Sequence, residues 1–205
     1  NCSPWVNMTR ASSRRSTPKF HIYDFSTYCA IILLYIVEFA DWNCQKKIGP
    51  GITNDSMHSN GDTDNMKYHT GRTNDWAGDA QNPVQYRWIE NLWGNVFQWV
   101  DGFNADGTTA YYCVDPSKYA DDTSTGYTQI GTLPASGWIK DLIVTDNGLL
   151  IPKASGGSET TYVPDYVYSS SGWRVLYVGG SWSYGSYAGL LCFCASNTSS
   201  GSNSN

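Results

Sequence analysis

An apolar segment near the start of the chain, residues 22–42, constrains the fold more than any other. Asp24 suits the N-cap position of a helix that begins there. Apolar side chains follow at the spacing of a helix lying on a hydrophobic core, at positions 25, 28, 29, 32, 33, 36, 39 and 40. Ile31, Leu34 and Val37 lie off this stripe. We therefore expect one long early helix that is apolar nearly all round and largely buried.

From residue 84 onward the sequence consists of short aromatic or β-branched runs separated by turn residues. The runs predicted as strands are Gln85–Glu90, Val96–Gly102, Ala110–Val114, Ile139–Val144 and Leu149–Pro152. Residues 146–148 (DNG) stand between the last two runs and are typical of a hairpin. The polar stretch 43–82 predicts a long loop region with a short second helix. The predicted class is α+β, with short antiparallel strands and much irregular loop.

Length and charge exclude several kinds of protein. The 205 residues fit a single domain. The formal net charge is −5, and the basic cluster is confined to Arg10, Arg14, Arg15 and Lys19; we therefore expect no nucleic-acid partner. The apolar run Cys29–Val37 is far shorter than the ~20 residues that span a bilayer, so no membrane insertion is expected. Because residue 1 is Asn and no secretory signal follows, we interpret the chain as the C-terminal part of a longer protein.

The six cysteines do not have the spacing of a disulfide framework or a zinc site. Cys29 lies inside the apolar run, where a thiol packs as a small hydrophobic group. Cys192 and Cys194 are too close in sequence for an easy mutual disulfide. They also lack the Cys-x-x-Cys spacing and the histidine partners of zinc ligands. We expect reduced cysteines.

The sequence contains no recognisable catalytic motif. G-x-S-x-G, H-E-x-x-H and a glycine-rich phosphate loop are all missing, and His21, His58 and His69 lie in irregular segments. Carboxylates and amides suited to calcium occur at 54, 55, 60, 62, 64, 65, 74, 75 and 79. The EF-hand register is absent, so we interpret them as a solvated loop. We expect no enzymatic activity and no cofactor. The sequence does not decide whether the protein binds a structural calcium ion.

Residues 171–205 form a separate compositional zone, in which Ser, Gly, Tyr and Asn supply 21 of 35 residues. Tyr offers a large, rigid contact surface, while Ser and Gly adapt around it, as in antibody paratopes. The segment 181–187 (SWSYGSY) concentrates these types. By composition alone it is either a binding surface or an ordinary aromatic-rich turn between strands.

Two segments resemble signatures of a known family. Residues 90–102 (ENLWGNVFQWVDG) are similar to the G-N-V-[WY]-E-W signature of formylglycine-generating-enzyme domains, a branch of the C-type-lectin-like fold. Residues 174–182 (RVLYVGGSW) resemble that family's R-V-x-x-G-G-S-W element. The scaffold residues that carry the likeness are Trp93, Gly94, Asn95, Trp99, Gly179, Gly180 and Trp182. The resemblance implies this fold, in which a display surface lies above a hydrophobic core. The residues expected in that core are Trp93, Phe97, Trp99, Trp173 and Trp182.

A closer resemblance, over residues 8–205, is to the variable proteins of diversity-generating retroelements, especially those of phages. It implies one domain, with a scaffold at 1–170 and a variable ligand-binding region at 171–205. In such proteins, adenine-directed mutagenesis changes the codons of the C-terminal region. On this view Cys192 and Cys194 are two residues that arose by such random codon changes. The ligand-binding residues it implies are Tyr177, Ser181, Ser183, Tyr184, Ser186, Tyr187, Cys192, Cys194, Ser196 and Asn197.

The chain departs from the enzyme branch of the family. When the Gly-Gly-Ser elements are aligned, Ser183 or Tyr184 and then Ala188 occupy the places of the copper-binding cysteines. We therefore expect no copper oxidase chemistry. Gln98 replaces the usual Glu of the first signature, which leaves the family's calcium site open. The family's closing strand is not found before Asn205.

The function that these observations predict is ligand binding by a hypervariable receptor-binding protein. We expect it at a phage tail-fibre tip, on the virion, or on a bacterial cell surface. The expected partner is a bacterial cell-surface protein or glycan, and fibre symmetry suggests a homotrimer. The alternatives are a formylglycine-generating-type oxidase and a fixed structural virion or adhesin domain.

Overall fold

The early helix is present. The computed structural model describes residues 10, 22–73 and 80–201. Helix α1 spans Phe25–Phe39. The Asp24 carboxylate caps it by accepting a hydrogen bond from the Thr27 N–H at 2.8 Å. The helix ends at Ala40, which has a φ of 49° and donates its N–H to the Ile36 carbonyl. The predicted N-cap and the prediction of one long early helix are confirmed.

Helix α1 is nevertheless not buried all round. The residues on its inner face are Phe25, Tyr28, Cys29, Ile32 and Tyr35. Leu34 is 50% exposed and Val37 is 85% exposed. The prediction of a largely buried helix is therefore wrong for the outer face. Within the described part of the chain, the sheet covers this helix from one side.

Eleven strands form two sheets in the described residues. They are β1 Gly71–Arg72, β2 Val84–Tyr86, β3 Ile89–Glu90, β4 Gln98–Asp106, β5 Thr109–Tyr112, β6 Thr128–Thr132, β7 Gly137–Val144, β8 Leu150–Ser155, β9 Tyr166–Ser169, β10 Trp173–Val178 and β11 Phe193–Asn197. Strands β1–β3 form a small antiparallel sheet, and the others form a sheet in the order β6-β5-β4-β10-β11-β9-β7-β8. Helix α2 spans Cys44–Lys47, and short 3-10 helices lie at Pro116–Lys118 and Gly185–Tyr187. The coarse α+β class is confirmed.

The strand predictions differ from the structure in two ways: β1, β6, β9, β10 and β11 lie outside the predicted runs, and one predicted run is interrupted by a turn. The predicted strand Gln85–Glu90 is a tight hairpin of β2 and β3, because Arg87 and Trp88 adopt positive φ angles of 49° and 68°. Neither residue type favours that conformation, so the sequence gives no signal for this turn. The hairpin predicted at residues 146–148 is confirmed: it joins β7 and β8, and the Gly148 N–H donates to the Thr145 carbonyl at 2.9 Å.

The eight-stranded sheet curls until its edges approach each other. A Cβ placed on Gly131 of β6 would lie 2.7 Å from Ile143 Cδ1 and 3.1 Å from Ile151 Cδ1, in the β7–β8 hairpin. Glycine at this position therefore lets the β6 backbone approach the hairpin closely. The sheet is nearly closed.

Side chains alternate between two hydrophobic clusters along the central strands, as the period of a strand requires. Leu176 and Val178 of β10 belong to the main core that packs on α1. Tyr177 lies between them in sequence and belongs to a smaller cluster with Cys192 and Cys194 of the β11 region. The sheet therefore carries apolar and aromatic side chains on both faces.

The predicted core residues divide between these clusters. Trp93 is fully buried in the main core, and its indole N–H donates to the Gly49 carbonyl at 3.0 Å. Phe97 and Trp99 pack on the smaller cluster, while Trp173 and Trp182 are half-buried. The prediction of five core aromatic residues is confirmed for Trp93. Phe97 and Trp99 are only half-buried, against the smaller cluster, and the prediction is wrong for Trp173 and Trp182, which belong to neither cluster. The scaffold is anchored mainly by Trp93 and by the aliphatic and phenyl groups around α1.

The described cysteines are free thiols, as expected: Cys29, Cys44, Cys113, Cys192 and Cys194. Cys2 lies outside the described residues. Arg10, a member of the predicted basic cluster, is buried and pairs with Asp121. It also donates to Asn104 Oδ1 at 2.6 Å. The other three members lie outside the described residues. No helix among the described residues is long and apolar enough to cross a membrane.

Candidate functional site

The two segments singled out in the sequence meet in space, although about 85 residues separate them. The Gly94 N–H donates to the Gly179 carbonyl at 3.0 Å, and the Trp182 N–H donates to the Asn95 carbonyl at 2.9 Å. Strands β4 and β10, which follow and precede these bonds, pair along their length. The two segments therefore form one supporting layer, here called the floor, at residues 92–95 and 179–180. Residues 181–188, here called the 181–188 loop, project from it.

Glycine is required in this floor because neighbouring chains approach closely. Gly180 has a φ of +78°, and a Cβ on it would lie 2.6 Å from the Ala188 Cβ. Gly179 has a φ of +91°, and a Cβ would lie 2.7 Å from the Leu92 carbonyl oxygen. Both the backbone conformation and the lack of space exclude larger residues.

Main-chain atoms fix the course of the 181–188 loop. The Gly185 N–H donates to the Thr53 carbonyl at 2.8 Å, and the Trp182 carbonyl accepts from the Asp55 N–H at 3.1 Å. From helix α2, the Gln45 side-chain amide donates to the Ala188 carbonyl at 2.6 Å. The loop side chains do not take part in these bonds. These bonds therefore do not depend on the identity of the loop side chains.

Three of the loop side chains predicted to bind a ligand are exposed. Ser183 and Ser186 are exposed, and Tyr187 is 41% exposed. Tyr184 is half-buried, because its ring packs against Phe97 with ring centroids 4.8 Å apart. On β11, Ser196 and Asn197 are half-buried.

Four predicted ligand-binding residues are buried instead: Tyr177, Ser181, Cys192 and Cys194. The Tyr177 hydroxyl shares a hydrogen bond of 2.8 Å with Ser196 Oγ, and the two cysteine sulfurs lie 4.0 Å apart beneath the surface. The prediction of direct ligand contact is wrong for these four residues in this conformation. Cys192 and Cys194 lie on one face of the β11 region, and aromatic rings from other parts of the chain cover that face. The sequence alone does not show which rings these are, so it could not indicate the burial.

Those rings form a continuous surface, here called the aromatic face. Successive ring centroids lie 4.5–5.8 Å apart, within the range of favourable aromatic pairs. In order of contact, the rings are Trp99, Tyr177, Phe97, Tyr184, Tyr168, Tyr166, Tyr187 and Trp138. The 181–188 loop thus contributes two rings, Tyr184 and Tyr187, to a surface built mostly by strands.

Three members of the aromatic face were missed by the sequence analysis: Trp138, Tyr166 and Tyr168. Tyr166 and Tyr168 flank the core residue Val167 in β9. This Tyr-Val-Tyr alternation is a period-two pattern, and it would have predicted two tyrosines on the face opposite the core. No comparable pattern marks Trp138.

The aromatic face is uncharged at neutral pH. Burial raises the pKa of Tyr184 to about 12, and it raises the pKa of Tyr168 and of Tyr177 further. All three hydroxyls therefore keep their protons. The surface offers rings together with neutral hydrogen-bonding groups, a combination that contacts protein and sugar equally well.

A buried carboxyl group supports the far end of the loop. Asp165 Oδ2 accepts a hydrogen bond from the Leu191 N–H at 2.6 Å, and a Cβ on Gly189 would overlap this carboxyl group. Burial raises the pKa of Asp165 to about 7. The Asp165 side chain thus connects residues 189–191, which follow the 181–188 loop, to the segment that precedes β9.

Several of the carboxylates and amides that the sequence analysis considered for calcium, and interpreted as a solvated loop, lie in the described residues. Within residues 22–73 and 80–201, no three His, Cys, Asp or Glu side chains are placed to hold a metal ion. His58 Nε2 lies 3.0 Å from Asp55 Oδ2 and its Nδ1 lies 3.2 Å from Asp62 Oδ2. The Gln98 side-chain amide donates to the Asn91 carbonyl at 2.5 Å. The candidates at 74, 75 and 79 lie outside the described residues.

Comparison with known proteins adds no relative: no protein-family model matches the chain, and no curated protein matches it.

Replacing Gly180 by Ala should disrupt the floor of the loop. We expect Gly180→Ala to lower the free energy of unfolding by at least ~2 kcal/mol more than Gly107→Ala, because only the first places a Cβ against another chain segment. Gly107 is a matched control, since it has a φ of +58° and nothing within 4 Å of its Cβ position. Urea unfolding measures both variants. Equal losses would contradict the close-packed floor.

The buried Asp165 carboxyl should make stability depend on pH. Its pKa is raised on folding, so the stability that its proton provides is complete below pH ~4 and declines as the pH rises to about 7. Burial also raises the pKa of the neighbouring Tyr28, Tyr35 and Cys44, which stay neutral over this interval.

The variant Asp165→Asn keeps an acceptor for Leu191 and does not titrate. We expect its melting temperature relative to the wild type to rise steadily between pH 4 and 7.5, measured by scanning calorimetry. A constant difference across this interval would show that Asp165 is already ionised in the folded protein.

Proposed function

We propose that this protein is a hypervariable ligand-binding protein that recognises a bacterial cell-surface protein or glycan without transforming it. The expected setting is a phage tail-fibre tip, with a bacterial surface adhesin as the related case. One observation carries the proposal: the aromatic face, whose rings are mostly half-buried and most exposed at Tyr187, is joined to a loop whose main-chain atoms are held by hydrogen bonds. In such an arrangement the main-chain bonds hold the fold of the loop, while its side chains are left to contact the ligand.

The aromatic face has the chemistry of a binding surface. Tyrosine and tryptophan rings bury about 150–250 Å² each when covered, and they lose little conformational entropy because two torsion angles define each side chain. Tyr184 and Tyr187 are the proposed anchors at the loop. Ser183 and Ser186 beside them are small and exposed, so they leave room for a ligand and adapt their hydroxyls to it.

The same geometry supports interchangeable side chains. Substitutions at exposed positions away from special features usually change stability by about 0.5 kcal/mol. Ser183, Ser186 and Tyr187 are exposed, and the bonds that hold their backbone involve main-chain atoms and Gln45. These positions therefore suit a retroelement-diversified region. Cys192 and Cys194 act on the surface indirectly, by packing beneath its rings.

The oxidase alternative is less well supported by the site. Ser183 or Tyr184 and then Ala188 occupy the aligned places of the copper-binding cysteines. Cys192 and Cys194 are out of that register and buried. The fixed structural domain differs from the proposal only in lacking variation.

A tail fibre would present several copies of this surface. Fibre symmetry favours a homotrimer, and three linked sites would raise the avidity for a target that each binds weakly.

Loss of the two loop rings should abolish binding. We expect Tyr184→Ala combined with Tyr187→Ala to weaken binding to labelled bacterial cells at least tenfold, scored over a panel of candidate hosts and a glycan array. The melting temperature should fall by roughly 4–8 °C, as expected for a cost of about 2 kcal/mol in a domain of this size. Tyr162→Ala, at a side chain 80% exposed outside the aromatic face, is the control and should bind normally. Unchanged binding by the double variant would remove the aromatic face from the proposal.

Sequencing around the gene separates a diversified protein from a fixed one. We expect a near-copy of the codons for about residues 173–205, differing where the copy has adenine, beside a reverse-transcriptase gene. The codons for Gly179, Gly180 and Gly189 should be identical in both copies, because these positions have no space for a side chain. A single copy, or differences at the glycine codons, would favour the fixed structural domain.

A further inference from the structure

A groove separate from the aromatic face gathers positive charge. Helix α2, which holds the 181–188 loop through Gln45, contributes Lys46 and Lys47 to this groove, and the segment around β1 contributes Lys67 and Arg72. The cavity has a volume of about 660 Å³, which is within the ~300–1,000 Å³ of small-ligand sites. We call it the cationic groove.

The concentration of cations here is unusual for this chain. The whole sequence has 13 Lys and Arg residues and a formal net charge of −5. Four of these cations nevertheless line one groove, and among its described lining residues Asp62 is the one carboxylate. Lys47 lies 3.5 Å from Asp41, whereas Lys46 and Lys67 form no ion pair with any residue that the structure describes. Lys46 and Lys67 are both exposed, so their two ammonium groups can pair with an anion that enters the groove.

The remaining lining groups are those that contact sugars. Asn65 and Thr73 line the groove and supply an amide and a hydroxyl. Tyr68 is 66% exposed there, and Lys67 Nζ lies 5.1 Å from the centre of its ring. An exposed tyrosine ring beside an ammonium group suits an anionic sugar, because the ring covers the C–H face while the cation pairs with the acidic substituent.

We propose that the cationic groove binds an anionic saccharide unit, one that bears a carboxylate or a phosphate group. The groove holds one or two sugar residues, with Lys46 and Lys67 on the acidic group and Asn65 and Thr73 on the hydroxyls. An extended polyanion such as a nucleic acid is disfavoured, since the net negative charge of the chain repels it beyond the groove. This site is distinct from the aromatic face and stands independently of the function proposed for that face.

The test uses the purified chain and four probes. These are tetragalacturonate as the carboxylate, a phosphorylated oligosaccharide, an uncharged galactose tetrasaccharide, and a single-stranded oligonucleotide of matched formal charge. The variant is Lys46→Gln with Lys67→Gln. Its charge-matched control is Lys140→Gln with Lys153→Gln, which removes two exposed cations that do not line the groove.

We expect one or both acidic saccharides to bind, measured by isothermal titration calorimetry, at least tenfold more tightly than the uncharged one. The groove variant should lose at least tenfold in affinity and the control less than twofold. Raising the salt from 0.05 to 0.5 M should weaken binding several-fold, because exposed charges are screened. Tyr184→Ala with Tyr187→Ala should leave this binding intact, so the two sites are tested separately.

Three results would overturn the proposal: no binding of either acidic saccharide, equal losses in the groove variant and the control, or equally tight binding of the oligonucleotide. The last result would assign the groove to nucleic acid. Because Lys46 and Lys67 are both exposed, misfolding of the variant is not expected, and its circular dichroism spectrum should match that of the wild type.

Discussion

Hydrogen bonds between main-chain atoms hold the 181–188 loop, and the rest of the proposed site depends on them. Residues 53 and 55 and Asn95 each bond to the loop backbone, while glycines at 179 and 180 let the floor approach it. Side-chain bonds would tie the shape of the loop to particular amino acids. Main-chain bonds do not, so the loop can keep one shape through many sequences.

The curled sheet supplies the second requirement, a rigid support under a variable edge. Its strands alternate between a core that packs on α1 and an outer surface of rings. Most of those rings come from β4, β7, β9 and β10, and the loop adds only Tyr184 and Tyr187. The cationic groove lies next to helix α2, which also holds the loop through Gln45. Two surfaces of different chemistry thus share one supporting element.

Local patterns predicted the local structure well. The N-cap and stripe of α1 and the hairpin at residues 146–148 follow from rules that act over a few residues. Gly179 and Gly180 were singled out by the family resemblance, and the contacts that require glycine there are with Leu92 and Ala188. The sequence did not predict the burial of Cys192 and Cys194. These cysteines are covered by Tyr168 and Tyr184, and Tyr168 reaches them because β9 lies beside β11 in the sheet. The positive φ of Arg87 and Trp88, and the place of Trp138 in the aromatic face, likewise depend on distant contacts. Such contacts leave no periodic signal in one sequence.

The central claim is that the backbone of the loop is fixed independently of its side chains, and a library measures this directly. Positions 183, 184, 186 and 187 are randomised in one library and positions 179, 180, 188 and 189 in a second, and the folded fraction of each is scored by protease resistance on a display platform. The account predicts that most members of the first library fold and that few of the second do. Comparable folded fractions in the two libraries, or collapse of the first, would contradict it.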